Sequence, residues 1–75
     1  MDNLFIGRQA SAFASTCREP LGFLGVVSLQ LGKASGTIVH HCVRFRDRRS
    51  EALEDARRDA RQLIRMANEM VRLDD

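Results

Sequence analysis

The sequence predicts an α+β fold of the ββ(β)α type: a small antiparallel sheet of two or three strands packed against one long C-terminal amphipathic helix. Three observations predict it. Residues 50–72 carry apolar positions in steps of three and four with no Gly or Pro among them, the pattern of a helix with one buried stripe. Residues 23–31 and 37–45 alternate with a period of two and flank a loop, residues 32–36, that begins and ends with Gly, as a hairpin does. The single proline, Pro20, precedes Gly22 and marks a turn upstream of that hairpin. At 75 residues the chain is expected to form one domain, residues 1–75, near the size at which a lone core becomes marginal.

In the helix, Ser50 is expected as the N-cap, and Glu51, Glu54 and Asp55 put negative charge in the first turns, where the helix dipole favours it. The apolar stripe runs through Leu53, Ala56, Ala60, Leu63, Ile64, Ala67, Met70 and Val71. On a wheel of about 100° per residue, Arg57, Arg58, Arg61, Arg65 and Arg72 fall on one flank and Glu51, Asp55, Asp59 and Glu69 on the other. Arg57, Arg61 and Arg65 are four apart and stack as a ridge, mildly unfavourable for like charges. Glu54 stands among them, placed to pair with Arg57 or Arg58. The pattern fits an ordinary solvated face with local ion pairs or a basic rail for an anionic partner. Met66 lies off the stripe on the acidic flank, where it is expected as an exposed anchor.

Residues 1–16 set Leu4, Ile6, Arg8, Ala10, Ala12 and Ala14 in alternation with Phe5, Gly7, Gln9, Ser11, Phe13 and Ser15. Period two predicts one strand here, with a short helix over the Ala-rich part as the alternative. Residues 17–22 are expected as a turn or loop. In residues 23–31, Phe23, Gly25, Val27, Leu29 and Leu31 share one face, and Leu24, Val26, Ser28 and Gln30 the other. In residues 37–45, Val39, His41, Val43 and Phe45 are expected to face the helix because they fill space best, leaving Ile38, His40, Cys42 and Arg44 outward. Residues 46–49 are the turn into the helix. The outer sheet face would then hold Leu24, Val26, Ile38, His40 and Cys42, a semi-apolar contact surface.

A hydrophobic content of 44% is that of a folded chain, and the net charge is +2. With no Trp or Tyr and 4 Phe, little aromatic surface is available for stacking bases. Of the 12 basic residues only Lys33 is a lysine. Arginine suits planar contacts to carboxylate or phosphate, and the same bias fits a GC-rich genome. The N-terminal stretch lacks a basic start and a long apolar core, and no apolar run approaches membrane-spanning length. The expected setting is therefore the cytoplasm of a bacterial or host cell, with Cys17 and Cys42 as free thiols.

Arg44-Phe45-Arg46-Asp47-Arg48-Arg49 joins the last strand to the helix. It forms an arginine-rich corner expected to continue into the Arg57, Arg61 and Arg65 ridge. Those seven arginines are the candidate partner- or nucleic-acid-binding residues, and a solvated charged turn is the alternative. His40 and His41 are adjacent, so in a strand they point to opposite faces. With no C-x₂-C or H-x₃-H spacing, no metal or cofactor site is expected. A Cys/His nucleophile pair lacks an orienting carboxylate at a recognisable spacing. Gly22-x-x-Gly25 is followed by no Lys-Ser/Thr and is no phosphate loop. No enzymatic activity is expected.

Residues 43–56, Val-Arg-Phe-Arg-Asp-Arg-Arg-Ser-Glu-Ala-Leu-Glu-Asp-Ala, resemble the strand-to-helix step of three-stranded DNA-binding domains, such as plant ethylene-response factors and the arm-binding domains of tyrosine recombinases. That resemblance implies a sheet docked in the major groove. The chain departs from the pattern in having no Trp and in offering Ser28, Gln30, His40 and Arg44 as the groove-facing candidates. In size, fold style and lack of enzyme motifs, the chain also resembles small α+β proteins of phages and mobile elements, including anti-CRISPR proteins. That resemblance implies a stoichiometric inhibitor of a larger host complex.

The expected function is accordingly a non-enzymatic binding module that modulates a host protein or ribonucleoprotein complex by protein–protein contact. The alternative is a nucleic-acid-binding accessory protein that uses the arginine corner and ridge. A homodimer through the exposed sheet face is a further expected partner arrangement, and no membrane partner is expected.

Overall fold

The computed structural model describes residues 3–32 and 36–73, with side chains as far as Glu69. Four strands precede one helix: β1 (Leu4–Ile6), β2 (Ala10–Glu19), β3 (Gly22–Leu31), β4 (Ile38–Arg46) and α1 (Arg49–Leu73). The strands form one antiparallel sheet in the order β1-β2-β3-β4, and α1 lies across one face in contact with all four. The α+β class and the single C-terminal helix agree with the sequence. The strand number is four rather than two or three.

The extra strand comes from the stretch read as one strand, where residues 4–16 form a hairpin. The chain folds back at Gly7, whose N–H donates to the Ala10 carbonyl (2.7 Å). The Arg8 N–H donates to Asn68 Oδ1 (3.1 Å), so the helix holds this turn in place. A side chain at position 7 would lie 2.7 Å from Ile64 Cγ2, which is why the reversal falls on a glycine. The turn also reverses the alternation. Ala10, Ala12 and Ala14 face α1, as does Phe5 opposite Ala12, while Leu4 and Ile6 point away with Phe13 and Ser11.

The predicted loop at residues 17–22 is shorter than expected, because β2 continues through Cys17 to Glu19. Glu19 pairs with Gly22 across a two-residue loop, Pro20 and Leu21. Proline presets the turn dihedral at the first loop position, and Gly22 takes φ 136°, open to glycine but strained for other residues. The inward face predicted for β3 is the observed one: Gly25, Val27 and Leu29 are buried. Lys33, Ala34 and Ser35 of the expected β3–β4 loop lie outside the described residues.

In β4 the predicted faces are exchanged. Val39, His41, Val43 and Phe45 are exposed, whereas Cys42 is buried and His40 and Arg46 turn toward the helix. The register supplies the reason. His40 pairs with buried Val27, and His41 with Val26 on the outer face. A bulge between Leu24 and Val26 then inserts two extra residues into β4 before Phe45 pairs with Leu24. An even insertion preserves the alternation, so the larger apolar residues remain outside. Of the expected exposed outer face, Leu24 and Val26 lie on that side, but Leu24 is buried there opposite Phe45. Ile38, His40 and Cys42 belong to the helix side.

The layer between sheet and helix is built from small side chains. Ala10, Ala12 and Ala14 of β2 and Ala52, Ala56, Ala60 and Ala67 of α1 are buried with Val27, Leu29, Cys42 and Ile64. Leu53 and Leu63 pack at its margin. Small residues let the helix approach closely: a Cβ at Gly25 would lie 2.5 Å from the Ala52 carbonyl oxygen. The Met70, Val71 and Arg72 side chains lie outside the described set. The helix begins one residue before the expected cap. The Arg48 carbonyl accepts from the Glu51 and Ala52 N–H groups, both at 3.2 Å, so Ser50 sits inside the first turn.

Candidate functional site

Two regions carry chemistry: the seam where β4 meets α1, and the outer face of the sheet. At the seam, His40, Cys42 and Arg46 of β4 turn toward the helix, which lays its acidic flank along them. The Arg46 guanidinium donates twice to Asp55, Nε to Oδ2 at 2.7 Å and Nη2 to Oδ1 at 3.0 Å. One helical turn on, Asp59 Oδ2 lies 2.9 Å from His40 Nε2, and the ligand atoms of His40, Cys42 and Asp59 all lie within 4.8 Å of one another. Arg58 closes the row from the solvent side, with Nη1 3.4 Å from Asp55 Oδ1 and Nε 3.5 Å from Asp59 Oδ1. The charge sorting along the helix therefore has a structural origin, since its acidic flank pairs with Arg46 and His40 of β4.

The electrostatics follow from this geometry. The Arg46 hydrogen bonds hold the Asp55 carboxyl below the usual carboxylate range, outweighing its burial. Burial alone would raise Asp59, but the bonds from His40 and Cys42 leave it lowered too. Cys42 is pushed up to about 12, first by burial and then by its bond to Asp59 and the charges of Asp59 and Asp55. A thiol so raised is protonated at neutral pH and is a poor nucleophile. The carboxylate that the sequence appeared to lack is present as Asp59, and its effect is to keep the thiol neutral. A surface cleft of about 200 Å³ opens beside this group, lined by His40, Asp59, Gln62, Leu63 and Met66. Met66 is exposed there, off the core stripe.

The outer face is defined by register. Leu4, Phe13, Ser28 and Val39 form one row across all four strands, and Cys17, Leu24 and Phe45 another across three. Leu4, Ile6, Phe13, Val39, Val43 and Phe45 are exposed, Ile6 at 77% and Val43 at 91%. Six exposed large apolar side chains thus share the open side, whereas the sheet's buried alanines lie under the helix with Val27 and Leu29. Cys17 is on this open side and Cys42 on the other, and both are free thiols.

The seven candidate arginines do not form one surface. Arg46 is committed to Asp55 at the β4 edge. Arg57 donates to Asn3 Oδ1 (3.1 Å) and Glu54 Oε1 (3.3 Å), realising one of the two pairings expected for Glu54. The Arg61 guanidinium lies 5.8 Å from the Phe5 ring centroid. Both therefore lean toward β1, at the opposite edge of the sheet from Arg46, and the expected continuity of corner and ridge is broken. Arg65 lines a separate cleft with Arg8, Asn68 and Glu69. Arg44, Arg48 and Arg49 remain exposed at the corner. Arg49 and Arg18 both lie over Phe23, at 5.4 and 5.7 Å from its centroid. Among the described residues, no ion pair involves Arg44, Arg48, Arg49, Arg61 or Arg65.

Sequence reasoning missed Asp59 and Cys42 as neighbours. The available signal was His40-x-Cys42, two positions on one strand face, set against acidic residues four apart on the helix. The exchanged β4 faces concealed it. No helix is long and apolar enough to cross a membrane among the described residues. No protein-family model, curated protein or solved structure matches the chain.

Proposed function

We propose that this chain is a non-enzymatic protein-binding module whose partner docks on the outer face of the sheet. One observation carries the proposal: Leu4, Ile6, Phe13, Val39, Val43 and Phe45 stand exposed together on the open side, while alanines and Gly25 make up much of the layer beneath the helix beside Val27, Leu29 and Ile64. A chain that kept its bulkiest residues for its own core would show the reverse distribution. A small core built on alanine buries little apolar area per residue, so covering the open side adds stability the fold otherwise lacks. The strands, of 3, 10, 10 and 9 residues, present roughly 500 Å² at strand spacing. Against an equal partner surface this removes roughly 1,000 Å² from water, the threshold of a specific interface. The fitting partner is an apolar protein surface. By the resemblance to small phage and mobile-element proteins, it belongs to a larger host complex that the chain modulates stoichiometrically.

The test compares the native chain with Phe13→Asp and Val43→Asp in capture from host lysate, with and without nuclease. The proposal expects a nuclease-resistant partner that both variants lose. Capture unaffected by either variant removes it. Light scattering on the purified chain identifies a second copy as the occupant if the species is a dimer that the same variants dissociate.

The alternative, a nucleic-acid-binding accessory protein, draws on exposed Arg44, Arg48 and Arg49 at one corner. It requires binding that falls steeply with salt and that is lost when these residues are replaced.

A further inference from the structure

We infer that His40, Cys42 and Asp59 form a binding site for a single divalent transition-metal ion of the zinc type. One ligand atom from each residue can be chosen so that all three lie within 4.8 Å of one another. The set is assembled by two rigid elements. His40 and Cys42 are two apart on β4 and so project from one face, and Asp59 meets them from α1. Imidazole nitrogen, thiolate sulfur and carboxylate oxygen are the three ligand types zinc accepts, at roughly 2.0–2.3 Å, which puts tetrahedral neighbours roughly 3.3–3.8 Å apart. His40 Nε2 and Asp59 Oδ2 now stand at 2.9 Å, so entry of an ion asks them to part by roughly 0.5 Å.

The surroundings fit the same reading. Asp59 Oδ2 lies 2.9 Å from His40 Nε2, and the Cys42 sulfur stands within 4.8 Å of both ligand atoms, so the position an ion would take is now spanned by a direct contact between two of the ligands. On binding, the ion replaces the thiol proton, which leaves to solvent, and the sulfur ligates as thiolate. Arg58 lies beside the other Asp59 oxygen, Nε to Oδ1 at 3.5 Å, and orients the carboxylate as outer-shell partners do. The cleft lined by Gln62, Leu63 and Met66 opens at His40 and Asp59, leaving room for a water as fourth ligand. Mixed nitrogen, sulfur and oxygen donors favour zinc or cobalt over magnesium or calcium, which take oxygen sets. The site lies on the helix side and is independent of the proposed docking face.

The test is titration of the reduced, metal-free chain with Co²⁺, followed by displacement with Zn²⁺. The expected result is a one-to-one complex with a thiolate-to-cobalt charge-transfer band and the intense visible bands of tetrahedral cobalt. Cys42→Ser abolishes the charge-transfer band. His40→Gln and Asp59→Asn each weaken binding at least tenfold, while Cys17→Ser leaves it unchanged. Circular dichroism confirms that each variant is folded. A variant that does not fold is replaced by alkylation kinetics of native Cys42, which bound Zn²⁺ must slow at least tenfold. Absence of a charge-transfer band, a band that follows Cys17, or unprotected Cys42 at saturating Zn²⁺ overturns the assignment.

Discussion

Arg46 and Asp55 join the last strand to the helix through two hydrogen bonds, at 2.7 and 3.0 Å, with Asp55 only 3% exposed. The pair spans a two-residue connection and fixes how α1 leaves the sheet. Asp55→Ala removes the acceptor and leaves the guanidinium facing a buried gap, and loss of one partner is the costly way to break such a pair. The thermal midpoint of Asp55→Ala is expected to fall well below that of an exposed control such as Glu54→Ala. Equal midpoints by calorimetry would show that the pair holds nothing.

The same pair makes stability depend on acid. Folding lowers the Asp55 pKa, so the unfolded chain binds its proton more readily. The stabilisation is complete above the unfolded value of roughly 3.9 and is lost as pH falls through the lower folded value. Urea midpoints measured from pH 6 downward should decline in acid, and Asp55→Asn should flatten that decline. A decline identical in native and variant chains would place the effect elsewhere.

Gly25 lies under the helix where an added Cβ would meet the Ala52 oxygen at 2.5 Å, the Cys42 sulfur at 2.9 Å and the Ala56 nitrogen at 3.0 Å. Two of these atoms are backbone, so the helix itself must move. Gly25→Ala is expected to destabilise by about 1–3 kcal/mol, the usual range for overpacking, and Gly25→Val by more. Chemical denaturation measures both, and a neutral Gly25→Ala would mean that helix and sheet are less closely packed than described.

The outer face should tolerate charge in the isolated chain and reject it in a complex. Val43 is 91% exposed, so Val43→Asp is expected to change stability by less than about 0.5 kcal/mol. Loss of partner affinity should be roughly tenfold or more, as for a charge placed in an apolar contact. Surface-based binding measurements on the captured partner separate the two effects.

The arginines divide into structural and free. Arg57→Ala removes hydrogen bonds to Asn3 and Glu54 and should lower stability modestly. Arg48→Ala, at an exposed position, should leave the midpoint unchanged. If the chain binds nucleic acid, Arg48→Ala lowers the slope of log affinity against log salt by about 1. A slope unchanged by Arg48→Ala and by Arg61→Ala would exclude both as phosphate contacts.

Much of the fold was legible because local physics specifies it. The single C-terminal helix, read one residue short at its start, the hairpin of β3 and β4 and the inward face of β3 each follow from periodicity and glycine placement. The reversal at Gly7 escaped because one alternation runs across it without a break, and only the approach of Ile64 and Asn68 demands a glycine turn there. The β4 faces were misassigned on the premise that the best space-fillers point inward. The register instead turns His40 and Arg46 toward the helix, where its acidic flank supplies Asp59 and Asp55 as partners.

The sequence by itself determined an α+β chain with one amphipathic helix and sorted charges, because those properties arise between residues a few positions apart. Only the tertiary structure decided which face of β4 the helix covers, and hence which of its apolar residues stay open and which ligand types meet. His40, Cys42 and Asp59 come together through strand register and helix docking, which depend on how closely alanine and glycine let two distant segments approach.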